Sequence, residues 1–279
     1  MLTISVDPIA FTIGSLEIRW YGIMAAIAVA ALLVIMLREA KRLGISRDIY
    51  GIFLWGVIGG VIGGRLAYVI YYWEHFMANP REILGFAGLA QMGMIIGIVV
   101  AALIYMGVTR MRFSTLLSIG DAFIAAALLA LAMGRIGCTL NGCCYGQLST
   151  FNFFPLAVIY TPRNTIAPEY WGVPLYPTQL YHVFWNLIVF GTIWGFRRRF
   201  KPEGSLLFFG FSIYAIGDLF LRFLRNDRGI TLFWGLDIPQ VVDFAILVIF
   251  LPWLIIKLRH PENNLWIQHV LAKLSRGKI

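Results

Sequence analysis

Charge is what this 279-residue chain has least of: 23 Lys and Arg with 14 Asp and Glu make up only 13% of it. With 59% hydrophobic residues and a mean hydropathy of +0.78, that scarcity excludes a water-soluble globular domain. Cysteine is nearly as rare. Cys138, Cys143 and Cys144 form no C-x-x-C pair and have no neighbouring histidine in the sequence. A four-ligand zinc site is therefore not expected, and neither is another metal or cofactor. A Cys138–Cys143 bridge and three free thiols both remain open on an oxidising face. Strand-type alternation is missing, which excludes a membrane barrel. Residues 1–17 are interrupted by Asp7, Pro8 and Glu17, so no cleavable signal is expected and the first apolar span serves for insertion. Low-complexity tracts, linkers and visible repeats are lacking too, which removes the usual sequence clue to an inverted-repeat transporter.

What the chain has is apolar length. Seven runs, at about 18–37, 49–73, 87–108, 114–135, 177–195, 205–225 and 238–257, approach the roughly 20 residues that a hydrocarbon core of about 30 Å demands. Lipid offers the backbone no hydrogen bonds, so these runs predict helices. The fold class expected is an all-α integral membrane bundle of seven transmembrane helices in a single domain, residues 1–279. Basic residues set its orientation. Connections 38–48, 109–113 and 196–203 and the tail from Lys257 onward carry fifteen Lys and Arg, whereas the opposite connections carry only Arg81, Arg163 and Arg228. The N-terminus is therefore expected outside and the C-terminus in the cytoplasm. Leu265, Trp266, Val270, Leu271 and Leu274 alternate with Lys273 and Arg276 at helical spacing, so 258–279 reads as an amphipathic cytoplasmic tail. The net charge of +9 is a topology and lipid-surface signal, and no nucleic-acid partner is expected. In GVIGGVIGG, 56–64, Gly59 with Gly63 and Gly60 with Gly64 have small-xxx-small spacing, which predicts close helix packing.

Ionisable groups inside a membrane cost about 2.5–3.5 kcal/mol each on insertion scales, so each is a functional candidate. Arg135 is read as the outer end of the fourth helix, followed by the glycine-rich stretch GCTLNGCCYG, whose backbone amides can face a ligand. In the sixth helix Asp218, Arg222 and Arg225 fall at i, i+4 and i+7, with Tyr214 one turn earlier. Two arginine-bearing helix ends make an anion clamp, and a phosphate diester is the anion that a bilayer supplies. The same spacing also allows Asp218 and Arg222 to neutralise each other and Arg225 to snorkel to the interface. Asp121 and Asp243 are intramembrane as well, with pairing to Arg65 or Arg222 as the plain account.

At this point GRIGCTLNGCCYG, 134–146, resembles the signature of the prolipoprotein diacylglyceryl transferase family. IRWYGIMAAIA at 18–28, GGRLAYVIYYW at 63–73, YPTQLY at 176–181 and LRNDRGITLFWGLDIPQV at 224–241 are similar to further blocks of that family, in the same order. Asp121 also stands fourteen residues before Arg135, as the family's acidic position does. The resemblance implies transfer of a diacylglyceryl group from phosphatidylglycerol to the lipobox cysteine thiol of a preprolipoprotein. It further implies a multi-pass enzyme of the bacterial cytoplasmic (inner) membrane, taken as a monomer. Catalytic roles are expected for Arg135, Arg222 and Asn141, and substrate-binding roles for Tyr21, Gly146, Gln179, Tyr214, Asp218 and Arg225; Tyr21, Arg135, Asn141, Gly146, Gln179 and Tyr214 match the family's positions, whereas Asp218, Arg222 and Arg225 rest on their charge and spacing in the sixth helix.

Departures lie at the proton-handling positions. MGMIIG, 92–97, puts Met92 where the family has its functional histidine, and Tyr214, Asp218, Arg222 replaces a Tyr, Arg, Glu series. His75 and His182 are the only histidines before the C-terminal tail, and either is a substitute base. Field effects of Arg135 and Arg222 on the incoming thiol offer a route that needs no base. Two other classes of function stay open: a catalytically silent homologue binding phospholipid or lipoprotein precursors, motivated by Met92 and Asp218, and a lipid or anion transporter using the same arginines.

Overall fold

A computed structural model describes residues 2–14, 16–84, 88, 90–200, 203–228 and 231–259. The chain is mostly helical, at 70% helix. Its helices are α1 (Trp20–Leu43), α2 (Ser46–Tyr71), α3 (Trp73–Ala78), α4 (Gln91–Thr109), α5 (Phe113–Asn141), α6 (Thr178–Phe196), α7 (Ser205–Leu221) and α8 (Ile238–Arg259). Six of them, all but α3 and α6, are long and apolar enough to cross a membrane. α6 has 19 residues, as many as α4, but it buries Thr178, Gln179, His182 and Asn186, which lower its apolarity. The predicted tail beyond Arg259 lies outside the described residues.

The expectation of an all-helical chain needs one correction. Among the described residues there are five short strands: β1 (Leu2–Ile4), β2 (Ile9–Ile13), β3 (Leu16–Arg19), β4 (Val158–Tyr160) and β5 (Pro174–Leu175). β2 and β3 form a hairpin, while β4 runs parallel to β1 and antiparallel to β5. Their pairing is tertiary, and segments of two to five residues are too short to carry a legible alternation.

The chain divides into two compact units, with boundaries inside α1 and α5. In the unit spanning Leu37–Ile119, α2 packs on α4 through glycine. A Cβ on Gly63 would collide with the Gly93 carbonyl, and one on Gly97 with the Gly59 carbonyl, so the backbones touch without side chains between them. Arg65 turns to the connection after α3, donating to the carbonyls of Ile83 (3.0 Å), Gly88 (3.2 Å) and Glu82. His75 pairs with Glu82 at an exposed position, 2.9 Å away. Met92 begins the apolar part of α4.

The other unit comprises Met1–Met36 and Gly120–Ile279. Ile124, Ala125 and Leu128 of α5 pack with Val189 and Ile193 of α6 and Leu206 of α7 to form its core. α8 joins through Phe250 and Trp253, whose rings lie 4.6 and 4.1 Å from that of Phe208. Asp121 accepts the backbone N–H groups of Gly204 and Leu207, both at 2.8 Å. Its carboxylate thus sits at the positive N-terminus of α7. A second small core, Ile4, Val158, Tyr160, Ile166 and Leu175, holds the three-stranded sheet together.

Candidate active site

Arg135 does not end its helix. The apolar run stops there, but nothing in RIGCTLN breaks a helix, so α5 continues six residues to Asn141. Gly142 stops it: at φ +79° its N–H bonds the Cys138 carbonyl (2.9 Å), joined by that of Cys143 (3.2 Å). Arg135 therefore lies nearly two turns inside the helix and is partly buried. Among the described residues no hydrogen bond or ion pair engages its guanidinium. Tyr21, Cys144, His182 and Tyr214 are all within its electrostatic reach.

The loop that follows is stitched on three sides. The PTQ segment at the start of α6 supplies the first: Thr178 Oγ1 donates to the Cys144 carbonyl (3.1 Å) and Gln179 Nε2 to that of Cys143 (2.9 Å). Gln179 Nε2 also reaches the Tyr160 hydroxyl (3.0 Å), whereas its buried Oε1 has no partner. Asn141 forms the second, exchanging bonds with Thr165 through its amide nitrogen (3.3 Å) and its carbonyl. Gly146 forms the third. Its backbone pairs with that of Arg225, its N–H bonds the Tyr176 carbonyl (3.1 Å), and a Cβ there would collide with that same carbonyl. Gln147 adds backbone and side-chain bonds to residues 223–225. Asn141, Gly146 and Gln179 thus shape the loop, and the geometry gives a physical reason for each residue type.

Arg222 stands in a different setting. It opens a 3-10 turn, Arg222–Leu224, directly after α7, and is 5% exposed. Nε bonds Asp218 Oδ2 at 2.8 Å and Nη1 bonds Asp237 Oδ2 at 3.0 Å. The i,i+4 neutralisation that the spacing allows is realised here, with a second carboxylate added. Tyr214 donates to Asp218 Oδ1 (3.2 Å), and His182 Nε2 meets the same oxygen at 3.0 Å. His182 Nδ1 lies 2.7 Å from the Thr178 carbonyl, so both ring nitrogens face oxygen acceptors. Both nitrogens are thus turned to protein oxygens, in a ring only 2% exposed. Asp243 is an electrostatic neighbour of Arg222 but does not receive its shown hydrogen bonds, and one of its oxygens is buried without a partner. Asp237 and Gln240, which exchange two backbone to side-chain bonds at 2.9 and 3.0 Å, escaped the sequence reading.

Arg225 is the intermediate case. It is 6% exposed and bonds Asp227 through Nε (2.9 Å) and Nη2 (2.8 Å), while its buried Nη1 has no partner among the described residues. Burial alone would lower its pKa; the Asp227 carboxylate outweighs that and raises it. Cys144 lies within its field. The Cys144 thiol is held well below the ordinary range, first by hydrogen bonds from Cys138 and Cys143 and then by Arg225 and Arg135, against the effect of burial. Cys143 feels opposite pulls: Cys138 lowers it, but Cys144 and burial push it up to about 11. All three cysteines are free thiols, and their sulfurs lie within 4.8 Å of one another.

Comparison with known sequences decides the family. Residues 8–256 match the sequence profile described as prolipoprotein diacylglyceryl transferase. The chain belongs to the prolipoprotein diacylglyceryl transferase family. A curated relative from Dehalococcoides mccartyi (strain BAV1), named phosphatidylglycerol–prolipoprotein diacylglyceryl transferase, is 35% identical over 266 residues, 95% of this chain and 98% of its own. Relatives of the same name from Listeria monocytogenes serotype 4b and Clostridium tetani (strain Massachusetts / E88) are each 30% identical. They cover 98% and 79% of this chain and 97% and 86% of theirs. Membership makes the protein a transferase, with membrane-spanning helices suited to a lipid-embedded enzyme.

Proposed function

We propose that the protein transfers a diacylglyceryl group from phosphatidylglycerol to the lipobox cysteine thiol of a preprolipoprotein. The unpaired guanidinium of Arg135 carries this reading: an uncompensated positive charge within a membrane helix is costly unless an anion from the substrate meets it. The phosphate diester is that anion, bound bidentately by Arg135 and approached by the free Nη1 of Arg225. The thiolate sulfur attacks the glyceryl carbon, the C–O bond breaks, and the departing glycerol phosphate keeps its charge against the same guanidiniums. Arg222, already matched by Asp218 and Asp237, holds the end of α7 in place and leaves Arg135 and Arg225 to meet the substrate. Tyr21 and Tyr214 flank the Arg135 position, while Asn141, Gly146 and Gln179 fix the loop beside it.

The reading includes α6 as a seventh span, the N-terminus outside, the C-terminus in the cytoplasm, and a monomer in the bacterial cytoplasmic membrane. Purified protein incubated with phosphatidylglycerol and a lipobox peptide is expected to yield a thioether product by mass spectrometry. Product formation that falls at least about 100-fold in Arg135→Ala supports the assignment. An Arg135→Ala variant as active as the parent overturns the clamp, and a parent that makes no thioether while still retaining the phospholipid identifies a silent, lipid-binding homologue.

A further inference from the structure

The family reading leaves one requirement open: something must turn the peptide thiol, of ordinary pKa near 8.5, into a thiolate. Met92 cannot accept a proton. His182 has both nitrogens engaged, and His75 is paired with Glu82 at an exposed position. The three cysteines at the end of α5 have so far been given no role.

We propose that Cys138, Cys143 and Cys144 bind one zinc ion, whose open fourth position takes the lipobox thiol and activates it as a thiolate. Three sulfurs on a tetrahedral zinc at about 2.3 Å stand about 3.8 Å apart. Here they are no more than 4.8 Å apart, so only a small closure brings them onto a common ion. Their convergence is built into the backbone. Cys138 lies in the last turn of α5, Gly142 reverses the chain, and Cys144 adopts the left-handed φ of +61° that non-glycine residues rarely take. Thr178 and Gln179 then hold the carbonyls of Cys144 and Cys143, fixing both thiols from behind.

No fourth His, Cys, Asp or Glu among the described residues joins the group. A structural zinc site has four protein ligands, whereas a catalytic one keeps three and leaves a position open. The ligand count that argued against zinc in the sequence therefore suits an ion whose last ligand is the substrate. Charge fits as well. Zinc with three thiolates carries a net charge of −1, and Cys144 lies within the electrostatic reach of Arg135 and Arg225. A thiol that coordinates zinc loses its proton, here to solvent. The sulfur then uses its electron pair to form the S–C bond to the glyceryl carbon as the C–O bond breaks. Both electrons of that bond leave on the phosphate oxygen held by Arg135, and zinc keeps its +2 charge throughout.

This inference rests on the transferase reading, and its test uses full-length protein in detergent or nanodiscs with a metal readout independent of turnover. Elemental analysis is expected to find one zinc per chain. Cys138→Ala, Cys143→Ala and Cys144→Ala should each weaken zinc by more than the about 10–100-fold that loss of an outer-shell partner costs. Cobalt exchanged into the parent protein should show a thiolate-to-metal absorption band that shifts on adding a lipobox peptide and stays still with its Cys→Ser counterpart. If a cysteine variant does not fold, chelation and zinc reconstitution of the parent carries the same measurement. Metal content equal in the parent and the triple variant overturns the proposal, as does a cobalt band unmoved by the thiol peptide. Undiminished Arg135-dependent transfer by metal-free protein overturns it too, and leaves the transferase reading standing. A thiol-responsive metal in a protein that forms no thioether keeps the site and removes the transferase reading.

Discussion

Two arginines in the same unit illustrate opposite ways of placing a guanidinium in a membrane protein. Arg222 is clasped by Asp218 and Asp237 on one side of the chain reversal between α7 and α8. Arg135, nearly two turns inside α5, meets no carboxylate in a hydrogen bond or ion pair among the described residues. The first arrangement spends its charge internally, so it supports the fold. In the proposed function the second keeps its charge for the substrate's phosphate. Residue type alone distinguishes neither, since both are arginines near the ends of apolar runs; the difference lies in which carboxylates tertiary structure brings to each.

The contrast breaks most clearly by mutation. Arg222→Ala takes the guanidinium away from two buried carboxylates, leaving Asp218 to Tyr214 and His182 and Asp237 to Gln240, so folding stability should drop by about 3–5 kcal/mol, measured by equilibrium unfolding in mixed micelles. Adding Asp237→Asn should restore part of that loss. Arg135→Ala should do the reverse: thioether formation falls about 100- to 1,000-fold, equivalent to about 2.7–4 kcal/mol in the barrier, with the unfolding midpoint unchanged. A destabilised Arg135→Ala or an active, stable Arg222→Ala would abolish the distinction. In the other unit, Gly63→Val forces apart two touching backbones, which should cost about 1–3 kcal/mol of stability through overpacking. Thr178→Val is the mildest: it removes one hydrogen bond to the Cys144 carbonyl, for about 1 kcal/mol, and raises the KM for peptide more than it lowers kcat.

Much of this architecture was legible from apolar length. The runs at 18–37, 49–73, 87–108, 205–225 and 238–257 became α1, α2, α4, α7 and α8 with shifts at their ends. The end of α5 was misread because hydropathy stops at Arg135 while helical hydrogen bonding does not, and the true stop, Gly142, is a backbone signal. The basic connection 38–48 hid a further helical stretch, since polar residues such as Glu39 and Lys41 favour helix as readily as apolar ones. At the site, Arg135, Asp218 and Arg222 stood out as charges in an apolar setting. Asp237, Gln147 and Thr178 did not, because their partners lie 15, 76 and 34 residues away and no local pattern announces such pairings. Asp121 was noticed for its charge, but its role as a helix cap depends on where residue 204 folds back.

The pairing of Gly146 with Arg225 carries a practical implication. Because main-chain atoms register the two segments, the location of position 225 is decoupled from the chemistry of whatever side chain it bears. Under the proposed clamp, position 225 is therefore where a side chain can be varied toward a different lipid headgroup while the main-chain register with Gly146 is kept.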